Sequence, residues 1–218
     1  TIKLYDTAGI RKKWKTVGLE RIAYEKTLAM LRYAKPLVVL LIDLTEWMTH
    51  RDKTLFAEIT NLWLPHVVTF NKIDEFSPQD AERLISQITT RVPVLKAAPR
   101  VKISWKEAIA VGSLLDAASR VWSEWLKRIP TPALNKAVTK ARVTKPPRFP
   151  KNKICKWKYI SQVDVAPPTF LVSVNNQEYA NFSFKKWLKN VIRAEYGFQW
   201  IPIKLKLTSK VDSNPYLS

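Results

Sequence analysis

The sequence holds a single cysteine, Cys155, and two histidines, His50 and His66. One cysteine excludes an internal disulfide, and three such residues are too few for a Cys/His metal site of the usual spacing. Long apolar runs are also missing, since the longest, 37–42, is far shorter than the roughly 20 residues that span a membrane. We therefore expect no membrane span and a reducing, cytoplasmic setting.

Acidic side chains are scarce as well. The chain has 37 Lys and Arg against 18 Asp and Glu, a net charge of +19, and a pI near 10.1. The excess is uneven, because 131–218 holds 16 basic and 4 acidic side chains. A strong positive charge favours a polyanionic partner, and its distribution directs attention to the second part of the chain.

The first part alternates between apolar runs and amphipathic segments. With 46% hydrophobic residues, its 218 residues can form a packed core. Continuous β-rich runs are typical of strands covered on both faces. The predicted strands are 2–5, 37–44, 66–70 and 101–104, and the predicted helices are 19–34, 50–62, 78–90 and 111–127. This alternation predicts an α/β domain over 1–128 with a doubly wound, mostly parallel sheet.

The pattern changes near Ile129. A helix is predicted over 131–143, with Thr131 as its cap and Pro132 in its first turn. Gly197 is expected to end a second helix. The remaining predicted elements are strands at 154–163, 169–175 and 201–207 and the helix at 183–196. This order predicts a small α+β domain over 129–218.

Two short motifs carry nucleotide chemistry. The sequence Asp6-Thr7-Ala8-Gly9 follows a predicted strand and matches DxxG, an element that lies beside the γ-phosphate in P-loop GTPases. By itself this match is weak evidence for a nucleotide site. The sequence Asn71-Lys72-Ile73-Asp74 ends another predicted strand and matches NKxD. A carboxylate at Asp74 can accept two hydrogen bonds from the N1–H and exocyclic amine of guanine, a donor pair that adenine lacks.

A third motif is expected at the next strand end. The sequence Ser104-Trp105-Lys106 stands where the usual signature is Ser-Ala-Lys. In P-loop GTPases the loop with this signature reaches guanine O6 through a backbone amide, so the resemblance is compatible with Trp105 at the middle position. Ala108 and Ala110 follow at positions where Gly-x-Gly is more usual.

The whole chain resembles the second G domain and KH-like domain of the tandem ribosome-assembly GTPases of the Der (EngA) family. The matching segments occur in the family's order. They are 6–13 (DTAGIRKK), 128–135 (RIPTPALN), 160–163 (ISQV), 167–170 (PPTF), 174–175 (VN), 182–190 (FSFKKWLKN), 196–198 (YGF) and 202–203 (PI). The resemblance implies a partial P-loop GTPase fold followed by a KH-like domain.

The resemblance also implies a function, namely GTP binding and hydrolysis during assembly of the large ribosomal subunit. GTP or GDP and Mg²⁺ are the implied cofactors, with Asp6 holding Mg²⁺ through water, and rRNA is the implied partner of a monomer. Ile10 replaces the water-orienting glutamine of Ras-like enzymes, so a backbone group or a monovalent cation is left for that task. No catalytic residue is assigned. The nucleotide-binding residues are Asp6, Thr7, Ala8, Gly9, Ile10, Asn71, Lys72, Ile73, Asp74, Ser104, Trp105 and Lys106.

The sequence contains no GxxxxGK[ST], and its only glycines are Gly9, Gly18, Gly112 and Gly197. Without that loop there is no amide cradle or lysine for the phosphates. We expect a C-terminal fragment of a longer GTPase that is inactive in hydrolysis by itself. The alternative is a non-hydrolysing, basic rRNA-binding module whose G-domain remnant is structural.

The RNA-binding residues are predicted from charge, because the GxxG loop of KH domains is absent. Eight cations fall within one short stretch that also holds Trp157 and Tyr159. A solvated basic face is the simpler reading of any single lysine, whereas the cluster favours phosphate contact. The predicted residues are Lys140, Arg142, Lys145, Arg148, Lys151, Lys153, Lys156 and Lys158.

Overall fold

The computed structural model describes residues 17–149 and 154–209. The chain divides into two compact units, Thr1–Ser119 and Arg120–Ser218, which are described separately below. The strand predicted at 2–5 lies outside the described residues, and the predicted boundary at 128/129 stays a prediction. No helix in the described part of the chain is long and apolar enough to cross a membrane.

The first unit alternates helices and strands, as predicted. Its elements agree with the predicted ranges to within about two residues, the usual uncertainty of helix ends. They are α1 (Val17–Ala34), β1 (Val38–Asp43), α2 (His50–Asn61), β2 (His66–Asn71), α3 (Pro78–Arg91), β3 (Arg100–Lys102) and α4 (Val111–Trp125), the last extending into the second unit.

Strand β2 lies at the centre of a three-stranded sheet. Both of its neighbours run parallel to it, with Asp43 opposite Asn71 and Phe70 opposite Lys102. Residues 66–70 of β2 are all buried, in agreement with a strand covered on both faces. The parallel arrangement brings the carboxyl ends of all three strands to one edge of the sheet.

The helices that cover this sheet have well-defined starts. In α2, Thr49 and Asp52 form a reciprocal capping box, and in α3 the Ser77 hydroxyl accepts a hydrogen bond from the Asp80 amide. Side-chain caps of this type satisfy amide groups that have no partner inside the helix, typically contributing about 1 kcal/mol. The loop-to-helix turns after β1 and β2 are therefore held by local sequence.

The sequence predicts an apolar stripe along α4 through Leu114, Leu115, Val121, Trp122 and Trp125, and this prediction was partly wrong. The residues that are buried at helical spacing are Leu114, Ala117, Val121 and Trp125. Leu115 and Trp122, which were included in the stripe, are 57% and 39% exposed. One position along a helix rotates the side chain by roughly 100°, which takes both residues off the buried face.

The second unit has the predicted order of helix, two strands, helix and strand. Its elements are α5 (Thr131–Thr144), β4 (Trp157–Val165), β5 (Pro168–Val174), α6 (Phe182–Tyr196) and β6 (Lys204–Thr208). Strand β5 is central, antiparallel to β4 and parallel to β6. Gly197 ends α6 with a positive φ of 86°, as expected. The prediction that Thr131 caps α5 was wrong, because Pro130 occupies the cap position and offers no side-chain hydrogen bond.

Buried polar side chains connect the elements of this unit. Gln162 on β4 accepts a hydrogen bond from the Ile129 amide at 2.8 Å and donates one to the Lys127 carbonyl at 2.9 Å. Asn135 on α5 bonds both the amide and the carbonyl of Ile160. Side chains in the motifs that carried the family resemblance thus join the start of α5 to the sheet.

Replacing Gln162 by alanine should destabilise the second unit by about 2 kcal/mol, because the amide of buried Ile129 and the carbonyl of Lys127 lose their partner. Urea unfolding followed through the backbone amide signals of β4 measures this free energy. The exposed Gln199→Ala is the matched control and should leave it unchanged. Equal unfolding free energies for the two variants would contradict a structural role of Gln162.

Candidate nucleotide-binding site and nucleic-acid interface

The predicted nucleotide-binding residues that the structure describes lie at the carboxyl edge of the parallel sheet. Asn71 is the last residue of β2, and Ser104 follows β3 after Ile103. Ligands of open α/β sheets bind at this edge, where loops leave the strands. The arrangement therefore brings the NKxD and Ser-Trp-Lys motifs together at this edge of the sheet.

A side chain-to-backbone hydrogen bond joins the two motifs. The Asn71 side-chain oxygen accepts from the Trp105 amide at 3.0 Å, across 34 residues of sequence. The backbone strengthens the connection, because the Ile73 amide donates to the Ile103 carbonyl at 3.3 Å. The Asn71 side chain therefore connects its own motif to the neighbouring loop.

The carboxylate of Asp74 is exposed and lies in a short 3₁₀ helix, Ile73–Glu75. A hydrogen bond from the Ser104 hydroxyl, assisted by Lys106 and Lys72, holds the pKa of Asp74 below its usual value. An ionised carboxylate is a hydrogen-bond acceptor only. Asp74 therefore has the protonation state that recognition of two donors on a base requires.

Lys72 adopts a left-handed backbone conformation, with φ of 66°. Its ammonium group lies 3.0 Å from a carboxylate oxygen of Asp43 and 3.9 Å from Glu75. The hydrogen bond to Asp43 is the main reason that the pKa of Lys72 is raised. The lysine of the NKxD motif is thus positioned by the residue that ends the neighbouring strand.

Asp43 was missed by the sequence reasoning. Burial alone would raise its pKa, but hydrogen bonds from Thr45 and Lys72 outweigh burial and lower it. The signal was present, since Asp43 is the one acidic residue in the apolar run at 37–44. Its partner could not be read from sequence, because Lys72 is 29 positions away.

The Ser104 loop is tightly constrained. Ser104 is fully buried and exchanges backbone hydrogen bonds with Ile109 at 3.2 and 2.9 Å. Ala108 and Ala110, which stand in place of the usual Gly-x-Gly, have φ of 53° and 55°. The loop therefore keeps a glycine-like backbone although both glycines are replaced.

Replacing Ala108 by glycine should stabilise the first unit by roughly 0.5–1 kcal/mol. The left-handed conformation costs a non-glycine residue about 1–2 kcal/mol, and the larger conformational entropy that glycine loses on folding offsets part of the gain from removing that strain. Thermal unfolding measures the change. Ala57→Gly at an exposed position in the middle of α2 should instead destabilise by about 1 kcal/mol. Destabilisation by both changes would show that the loop relaxes around Ala108.

Five predicted nucleotide-binding residues, Asp6, Thr7, Ala8, Gly9 and Ile10, lie outside the described residues. The Mg²⁺ site assigned to Asp6 and the role of a monovalent cation therefore stay predictions. Among residues 17–149 and 154–209, no group of three or more His, Cys, Asp or Glu side chains is placed to hold a metal ion.

The predicted RNA-binding residues that the structure describes are all exposed. Lys151 and Lys153 lie outside the described part of the chain. The exposed residues lie at the end of α5, in the following loop and at the start of β4. They are Lys140, Arg142, Lys145, Arg148, Lys156 and Lys158.

Side chains of α6 and of the residue that follows β5 hold the backbone that carries these cations. The Lys145 carbonyl accepts a 2.6 Å hydrogen bond from the Trp187 indole, and Phe149 stacks on Phe184 with ring centroids 6.1 Å apart. Asn175 accepts from the Lys156 amide at 2.8 Å. Aromatic and amide side chains of the unit thus hold the basic segment in place while its charged groups face solvent.

Comparison with known proteins agrees with this organisation. A family profile described as the KH-domain-like of EngA bacterial GTPase enzymes, C-terminal, matches residues 128–208. GTPase Der of Caldanaerobacter subterraneus is 32% identical over 92% of this chain and 46% of its own length. GTPase Der of Ruegeria pomeroyi is 32% identical over 99% of this chain and 45% of its own length.

The predicted resemblance to the Der (EngA) family is confirmed. The chain spans slightly less than half the length of the Der relatives it matches. The predicted fold class is also confirmed, since a parallel α/β unit precedes an α+β unit that includes the KH-like match. Two solved structures of Era also match, each 21% identical over 93% of this chain and 74% of the Era chain, with a TM-score of 0.44. One is a variant from Aquifex aeolicus bound to GDP·AlF₄⁻, and the other is a complex with MgGDPNP and a segment of 16S ribosomal RNA.

Proposed function

We propose that this chain recognises the guanine base and binds rRNA as part of a Der-type GTPase that acts in assembly of the large ribosomal subunit in the cytoplasm. The observation that carries the proposal is the junction of the NKxD and Ser-Trp-Lys loops through Asn71 and Trp105. The similarity to GTPases named Der over nearly the whole chain supports it.

In this proposal, Asp74 accepts hydrogen bonds from N1–H and the exocyclic amine of guanine. The Ser104 hydroxyl lowers the pKa of that carboxylate, and the Asp43–Lys72 ion pair fixes the start of the loop. A backbone amide of the Ser104 loop reaches guanine O6. The site is thus selective for a base with a donor pair facing Asp74.

Hydrolysis requires groups beyond base recognition. In the proposed reaction water attacks the γ-phosphate in line, and catalysis depends on positioning and charge stabilisation. Asp6 is the residue of this chain that would hold Mg²⁺ through water, and Mg²⁺ would supply charge neutralisation at the phosphates. The described residues contribute recognition of the base and orientation of the nucleotide.

Replacing Asp74 by asparagine should weaken GMP binding roughly 100-fold, because the hydrogen bond to N1–H loses its charged acceptor and the asparagine amide opposes the exocyclic amine with a second donor. The same change should strengthen binding of XMP, whose 2-oxo group can accept from the asparagine amide. Titration of the chain with GMP and XMP, followed by NMR, measures both affinities.

The matched control is Asp116→Asn, an exposed carboxylate on α4, which should leave both affinities unchanged. Guanine selectivity that persists in Asp74→Asn would remove Asp74 from base recognition. Absence of GMP binding by the unmodified chain would favour the alternative of an rRNA-binding module with a structural G-domain remnant.

The RNA-binding part of the proposal rests on the exposed basic segment. Its described cations extend from Lys140 to Lys158 over an anchored backbone. Contacts to phosphate are not sequence-specific, and they release counterions, so affinity depends steeply on salt. The large subunit is proposed as the particle that presents this RNA.

Replacing Lys145, Arg148 and Lys156 by glutamine should weaken binding to purified large-subunit rRNA by at least tenfold. The slope of log affinity against log salt should fall by roughly 2–3, since each lost phosphate contact removes about one unit. Filter binding at several salt concentrations measures both quantities.

A variant with the same loss of charge elsewhere, Lys26, Lys53 and Lys96 changed to glutamine, is the control. An equal loss of slope in the control would mean that overall charge, and not this surface, determines binding. Cosedimentation with isolated large and small subunits tests the particle, and preference for the small subunit would contradict the assignment to the large one.

A further inference from the structure

Trp105 is the most exposed tryptophan in the described part of the chain. Its side chain is 67% exposed, against 39% for Trp122 and 37% for Trp200. No aromatic ring or cation of the described residues packs on its indole, and neighbouring Lys106 and Glu107 pair with each other at 3.5 Å. A large apolar ring is thus presented to solvent in the loop that follows β3.

The exposure does not come from a loose backbone. The Trp105 amide donates to Asn71 at 3.0 Å, and its carbonyl accepts from the Ala108 amide at 3.4 Å. Ser104, immediately before it, is fully buried. The indole therefore projects from a backbone that hydrogen bonds hold on both sides.

The backbone of Trp105 is joined to the motif that contains Asp74. The hydroxyl of Ser104, the residue before Trp105, helps to lower the pKa of the Asp74 carboxylate. Asn71, on the other motif, holds the Trp105 amide. Trp105 is therefore attached next to a residue that interacts with Asp74, and its backbone is hydrogen-bonded to another residue of the NKxD motif.

We propose that the Trp105 indole packs against the guanine base and increases affinity for the nucleotide. The inference rests on the proposed function, because it requires Asp74 to bind guanine at this edge. Every base has a π-face, so an aromatic contact adds affinity without selecting among bases. Trp105 supplies affinity in this arrangement, and Asp74 supplies selectivity.

The experiment titrates the chain with GMP and with IMP, which lacks the exocyclic amine. Trp105→Ala should weaken both by about tenfold, the order of magnitude expected for loss of one base–aromatic stack, and leave their ratio unchanged. Trp105→Phe should retain most of the affinity. The control, Tyr33→Ala, removes another exposed aromatic side chain and should change neither.

Contact is tested directly by nuclear Overhauser effects between GMP H8 and the indole protons of Trp105. Their presence is expected, and their absence in the bound unmodified chain would overturn the inference. Unchanged GMP affinity in Trp105→Ala, or a changed GMP-to-IMP ratio, would overturn it while leaving the role of Asp74 intact. Failure of the unmodified chain to bind GMP would overturn the proposed guanine recognition as well.

Discussion

The parallel pairing of β2 with both of its neighbours is the constraint on which the candidate nucleotide site depends. The strand is buried along residues 66–70, and its register sets Asp43 opposite Asn71. Because all three strands run the same way, their ends meet at one edge. The contacts Asn71–Trp105 and Asp43–Lys72 are consequences of that register.

The chain has only four glycines, so most of the left-handed backbone positions that the structure describes are occupied by other residues. Several non-glycine residues of the described chain occupy positive φ, where glycine would be the usual choice. They are Lys35, Trp47, Trp63, Lys72, Ala108, Ala110 and Phe198. Neighbours help hold such positions, as where Arg91 lies 5.0 Å from the centre of the Trp47 ring. The fold keeps its turns where residue preference alone opposes them.

The second unit separates structural from exposed polar groups. Gln162, Asn135 and Asn175 are used in hydrogen bonds between elements, so residues of the motifs that carried the family resemblance build the scaffold. Lysines and arginines around them remain at the surface. The cations of the basic stretch that the structure describes are exposed, so they are accessible to the RNA phosphates that we propose they contact.

The order and type of the elements were predictable from the sequence, because apolar periodicity, prolines and caps act over a few residues. Asn71 and Asp74 were predictable as site residues because their motif ends a buried strand. Only the tertiary structure decided that Asp43 would hold Lys72, that Trp105 would stay exposed, and that Leu115 and Trp122 would leave the buried face of α4. These outcomes depend on pairings between residues tens of positions apart, and no local pattern encodes which partner arrives there.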